Sequence, residues 1–130
     1  MHETLLPPGW PRPKGYANGI AAQGRLVFTA GIIGWDAGER LVARDLIGQL
    51  RQVLANTLAV LAAGGAGPEH IVRMTWYIVD RDEYVARLAE IGAVYREMIG
   101  RHFPAMAVVQ VVRLVEAEAL VEIETTAVVP

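Results

Sequence analysis

Two stretches decide the fold: Phe103-Pro104-Ala105-Met106-Ala107-Val108-Val109-Gln110-Val111-Val112-Arg113-Leu114, and Leu120-Val121-Glu122-Ile123-Glu124-Thr125-Thr126-Ala127. Both are rich in β-branched residues and alternate with period two, so both read as strands, a final pair. In the first, Met106, Val108, Gln110 and Val112 share one face, and Ala107, Val109, Val111 and Arg113 share the other. In the second, Glu122, Glu124 and Thr126 point away from Val121, Ile123 and Thr125. A strand apolar on both faces is expected to be covered on both sides. The carboxylates beside it must face water, a partner chain or a site.

Upstream residues form the scaffold for this pair. Asp80, with Glu83 three residues on, opens a helix by a capping-box-like start. Its apolar stripe is Tyr84, Leu88, Ile91, Tyr95 and Met98, with Glu83/Arg87 and Glu97/Arg101 spaced to pair, and Gly100 closes it. Ile71 to Val79 reads as another strand. Before it, Asp45 caps a helix whose buried side is Leu46, Leu50, Val53, Leu54, Thr57, Leu58 and Leu61, and Gly64-Gly65 ends it. Tyr16–Gln23 and Leu26–Ile32 flank Gly24-Arg25, which predicts a β-hairpin, and Leu41-Val42-Ala43 reads as a short edge strand. Gly31 and Gly34 mark a bend or a close backbone approach. Residues 1–15, with Pro7, Pro8, Pro11 and Pro13, form an extended or turning lead-in that Trp10 is expected to anchor. The order β-β-(β)-α-β-α-β-β gives an α+β fold, helices on one face of a mixed sheet, in one domain spanning 1–130.

Composition narrows the function classes. Hydrophobic residues make up 53% of 130 residues, which predicts a packed core and a surplus that a symmetric oligomer would bury. Twelve basic and fourteen acidic residues, scattered along the chain, leave a net charge of −2 with no basic stripe, so nucleic acid is not an expected partner. The absence of cysteine excludes disulfides, thiolate metal sites and a cysteine nucleophile. No apolar run is read as approaching the roughly 18 residues of a membrane span, and the N-terminus lacks the regions of a signal peptide. A cytoplasmic protein is the expectation. His70 and His102 have no second ligand at metal spacing, and neither a Ser-His-Asp arrangement, a P-loop nor a dinucleotide-binding glycine run is present.

The run Pro104-Ala105-Met106-Ala107-Val108-Val109-Gln110-Val111-Val112-Arg113-Leu114 followed by Val121-Glu122-Ile123 resembles the signature region of the YjgF/YER057c/UK114 family, also called RidA. Gly15-Tyr16, Ala30-Gly31, Asn56, Ala63-Gly64, Ile71-Val72-Arg73 and Asp80 support the resemblance, which covers residues 13–128. It implies a chorismate-mutase-like α+β subunit in a barrel-like homotrimer, with clefts between neighbouring subunits. The activity it implies is hydrolysis of reactive enamines and imines, such as 2-aminoacrylate, to 2-keto acids and ammonia, with no metal or organic cofactor. Glu122 then matches the family's water-orienting glutamate, Tyr16 its N-terminal tyrosine, and Gly31 its backbone contact. The arginine that clamps the substrate carboxylate in the family is replaced by Met106. Ile32 stands for a usual glutamine, and Lys14 precedes Gly15-Tyr16 where a proline is usual.

The residues support two functional readings. In the first, Glu122 activates water, while Tyr16 and backbone groups near Gly31 and Val108 hold the substrate against an apolar wall at Met106. In the second, the protein is a trimer that binds a small molecule without turnover. Glu122 also reads as a solvated strand carboxylate, Tyr16 as strand-start packing, and Met106 as filler of a core gap. Arg113 lies on the other face by parity, whereas Lys14 or Arg12 can reach in from the lead-in. An endoribonuclease role, associated with some members of the family, sits poorly with the acidic charge balance.

Overall fold

The apolar strands lie side by side in a four-stranded sheet of order β3-β6-β4-β5, formed by β3 (Arg25–Phe28), β4 (Ile71–Ile78), β5 (Ala105–Gln110) and β6 (Val121–Val129). A computed structural model describes residues 2–130. β6 pairs antiparallel with both β3 and β4, and β4 pairs parallel with β5. The two strands of the signature region are therefore not neighbours: β4 lies between them, because the crossover that follows β4 returns β5 parallel to it on the outer side. β5 also ends at Gln110, whose side chain accepts a hydrogen bond from the Arg81 backbone N–H, and Val112 beyond it is 92% exposed.

The predicted hairpin does not form. β2 (Gly19–Ala21) pairs with β1 (Glu3–Leu5) in a separate two-stranded sheet, while β3 pairs with β6. At Gly24 the chain has φ +148°, and a Cβ there would stand 2.7 Å from the Val129 carbonyl carbon, so this glycine delivers β3 to the end of β6. Leu41 contributes a single bridge to Trp35 rather than a strand, and Trp10 is exposed rather than anchoring.

Helix α1 (Leu46–Ala63) starts where expected, with the Asp45 carboxylate accepting from Gly48 N–H. It is long and apolar enough to cross a membrane by length and composition, contrary to the sequence expectation. Its Leu50, Val53, Leu54 and Leu61 are fully buried in the same core as Met74, Trp76, Val121 and Ile123 of the sheet. The second expected helix is two, α2 (Arg81–Ala86) and α3 (Leu88–Met98), meeting at Arg87, where φ −111° and ψ 20° leave helical geometry. Asp80 caps α2 through Glu83 N–H, and Arg87 pairs with Glu83 at 3.4 Å. Glu97 pairs with Arg51 of α1 instead of Arg101, so that ion pair ties the helices together.

Buried Gln49 is the polar exception in the apolar helix face. Its amide donates to the carbonyls of Ala43 and Glu118 and accepts from Leu120 N–H, which fixes the entry of β6. Gln49→Ala would leave those groups unpaired at roughly 1–3 kcal/mol each. The expected loss of stability is at least about 2 kcal/mol, measured by urea unfolding, against about 0.5 kcal/mol for an exposed position.

The sheet is covered on one face only. Met74, Trp76 and Ile78 of β4 register with Met106, Val108 and Gln110 of β5 and with Thr125, Ile123 and Val121 of β6, and this is the helix side. The other face carries Tyr77, Glu122, Glu124 and Val109, with Leu26 and Phe28 of β3, and Phe28 is 66% exposed. The expectation that β5 is covered on both sides does not hold within one chain.

Candidate active site

Glu122 sits on the open face of β6, half-buried and opposite Tyr77 of β4. Its carboxylate lies against Gly31: a Cβ there would stand 2.8 Å from the carboxyl carbon. Any side chain at residue 31 would displace the carboxylate, so the glycine is required for the approach. The segment carrying Gly31 is fastened to β6 by Thr29 N–H to Thr125 O at 2.8 Å and by reciprocal bonds between Ile32 and Ile123 at 2.8 and 3.0 Å. Beyond it, the Asn56 amide donates to the carbonyls of Ile33 and Trp35, at 3.1 and 2.7 Å. Gly34 packs on α1, where a Cβ would meet the Gln49 carbonyl oxygen at 3.1 Å.

These contacts frame a concavity of about 580 Å³ lined by Gly31, Trp35, Asp36, Asn56, Glu116 and Glu122 among others. Its charged lining is entirely acidic: Asp36, Glu116 and Glu122, with no lysine, arginine or histidine. Glu122 is in none of the salt bridges or side-chain hydrogen bonds of the described residues. Its neighbour Glu124 is occupied, accepting a short hydrogen bond from the Tyr77 hydroxyl that raises the phenol's pKa.

Tyr16, Met106 and Val108 line a different concavity, of about 450 Å³, between β5 and helices α2 and α3. Tyr16 is brought there by Ala17, whose N–H bonds to Pro104 O at 2.9 Å beside the start of β5, and it remains 43% exposed. Trp76, Tyr84, Tyr95 and Phe103 supply aromatic walls, with ring centroids 5.9 to 6.5 Å apart along the cluster. Burial pushes the Tyr84 and Tyr95 hydroxyls above the ordinary phenol range, so both stay neutral. Lys14 lines this concavity; Arg12 does not, but it lines two hollows that share Tyr16 with it, one of them together with Lys14. Arg113 lies in the exposed segment after β5.

Within one chain the structure thus brings Gly31 to Glu122, and Tyr16 to Met106 and Val108, but it separates the two groups on opposite faces of the sheet. Gln49, Asn56 and Arg96, the last of which also lines the concavity around Met106, were not singled out as site-building residues from sequence. The signal for the first two was polar residues interrupting the buried stripe of α1. Among the described residues no group of three His, Asp or Glu is placed to hold a metal.

A sequence model of the family described as Endoribonuclease L-PSP matches residues 11–129. The chain belongs to this family, the RidA/YjgF group. Among its members, a RutC family protein of Pyrococcus horikoshii is 36% identical over 130 residues, covering 98% of each chain. A protein of Salmonella typhimurium named 2-iminobutanoate/2-iminopropanoate deaminase is 33% identical over 132 residues, again covering 98% of each. In three dimensions the Rid family protein YyfB of Yersinia pestis, described as of unknown function, superposes with a TM-score of 0.87 at 33% identity, covering 98% of both chains. The RidA family therefore includes imine deaminases, and the α+β architecture read from the sequence is the family's.

Proposed function

We propose that the protein is a cofactor-free hydrolase of a small reactive imine or enamine, working at clefts formed where copies of the chain meet in a homotrimer. The observation that carries this reading is the seating of Glu122 over Gly31, at the mouth of an acidic concavity. Its proposed partners Tyr16, Met106 and Val108 lie on the opposite face of the same sheet. One chain supplies two half-sites that cannot meet each other. A second copy set against the first can join the Glu122 half of one to the Tyr16 half of the other.

The bare sheet face leaves Leu26, Phe28 and Val109 exposed, apolar side chains that a neighbouring copy would cover, and this supports such an assembly. Halves that pair heterologously close into a ring when the rotation from one copy to the next is a simple fraction of a turn, a third for a trimer. Sedimentation of dilute protein is expected to give about three subunit masses. A monomer at micromolar concentration would remove the shared cleft.

The proposed reaction needs only water. Glu122 takes a proton from water as its oxygen adds to the C=N carbon and returns that proton to the imine nitrogen, giving a carbinolamine. The C–N bond then breaks, releasing ammonia and leaving a carbonyl. For an enamine, protonation at carbon first gives the imine. A carboxylate at a water-accessible concavity suits the proton transfer, and the name of the Salmonella relative supports the substrate class. The test is release of ammonia and 2-keto acid from imines generated in situ. No acceleration over the spontaneous reaction for any imine would refute the reading.

Methionine at residue 106 favours a second reading, a trimer that binds a small molecule without turning it over. A thioether offers only a weak acceptor and polarizable bulk where the family resemblance places a guanidinium.

A further inference from the structure

The concavity around Met106 is charged with one sign. Lys14 and Arg96 line it, and no aspartate or glutamate does. Arg96, one turn after Gly92 on α3, lies back over that glycine: a Cβ on Gly92 would stand 3.3 Å from its guanidinium. Among the described residues neither Arg96 nor Lys14 takes part in a salt bridge.

The rest of the lining is aromatic and apolar. Trp76, which borders this cavity, is 1% exposed, and its Nε1–H finds no acceptor among the described residues. The cavity thus combines flat apolar walls with two cations that make no salt bridge among the described residues, and Trp76 in its wall is a local reporter.

We propose that this concavity binds an aromatic or bulky apolar carboxylate, with Arg96 and Lys14 receiving the anion from the helix and lead-in side in place of residue 106. A guanidinium meets a carboxylate by charge-assisted hydrogen bonds that a thioether cannot make. Aromatic walls reward a ligand with a ring to bury and give little to a three-carbon molecule. For the chemistry that follows binding the inference rests on the hydrolase reading, and it makes the substrate an aryl-bearing 2-imino acid rather than 2-aminoacrylate. Binding itself does not depend on turnover.

The test is a titration of the intact protein with phenylacetate, its neutral isostere phenylacetamide, and acetate, followed by the Trp76 indole N–H resonance, which Trp76→Phe identifies. Phenylacetate is expected to shift that resonance and to bind at least about tenfold more tightly than either comparator. Arg96→Gln, at an exposed position, is expected to weaken phenylacetate about 3- to 10-fold while leaving phenylacetamide unchanged, and Lys14→Gln to act in the same direction. Equal binding of acid and amide, or unchanged phenylacetate affinity in both variants, would overturn the anion assignment. No saturable binding of phenylacetate would overturn the pocket's ligand class. Binding that depends on Arg96 in a protein that hydrolyses no imine sustains the inference and refutes the hydrolase reading. Imine turnover with no effect of Arg96 or Lys14 on binding does the reverse.

Discussion

Glu122→Gln is expected to lower turnover about 10²–10⁴-fold, while ligand affinity moves by no more than a hydrogen bond's worth, about 0.5–1.5 kcal/mol. Glutamine keeps the size and shape of the side chain seated over Gly31, so the geometry of the cleft is preserved. What it removes is the ability to take a proton from water. Because Glu122 is in no salt bridge or side-chain hydrogen bond among the described residues, the same change should alter stability by less than about 0.5 kcal/mol. A protein that only binds its ligand would show the affinity change alone. Unchanged rate and affinity would remove Glu122 from the site.

Hydrolysis of 2-aminoacrylate and other short 2-imino acids is expected to be weak, and Met106→Arg is expected to raise it. Loss of one member of a desolvated charge pair costs roughly 2–5 kcal/mol. At about 1.4 kcal/mol per decade this is roughly 30-fold to several-thousand-fold in rate at limiting substrate. Met106 is only half-buried at the wall of a cavity of about 450 Å³, so an arginine has room to extend. The measurement is kcat/KM for both proteins on the same imine beside an arginine-bearing relative. Wild-type activity equal to the relative's would show that Arg96 and Lys14 hold short substrates as well as an arginine at residue 106 does.

The long strands, the first helix and the caps of both helical regions were legible in the sequence because each rests on local chemistry, whereas β1 and the division of the second helix were not. Period-two runs, Asp45 and Asp80 as caps, and Gly64-Gly65 as a stop need no knowledge of the rest of the chain. The pairing of strands was not legible. Gly24-Arg25 carries the composition of a hairpin turn, yet its conformation answers to Val129, more than one hundred residues away, and β4 separates the final strand pair. The break at Arg87 has no proline or glycine to announce it.

The site was legible in pieces. Alternation alone put Glu122 and Met106 on definite strand faces. It could not show that those faces look in opposite directions, because that depends on the register of both strands against β4. Nor could it show Gln49 and Asn56 holding the loops around Glu122, since each bonds to carbonyls distant in sequence. Arg96 reads in sequence as an ordinary solvated helix residue. Only the fold brings it to the concavity that Met106 also lines.

The most direct test of a shared cleft is subunit mixing. Glu122→Gln and Tyr16→Ala each disable one half-site, so each protein alone should be nearly inactive on the imine that the wild type hydrolyses fastest. After co-refolding the two in equal amounts, about a quarter of the clefts in a closed ring join an intact Glu122 half to an intact Tyr16 half. Activity should return to about a quarter of the wild-type value. No return of activity, in mixtures shown to have exchanged subunits, would contradict a catalytic site built from two chains.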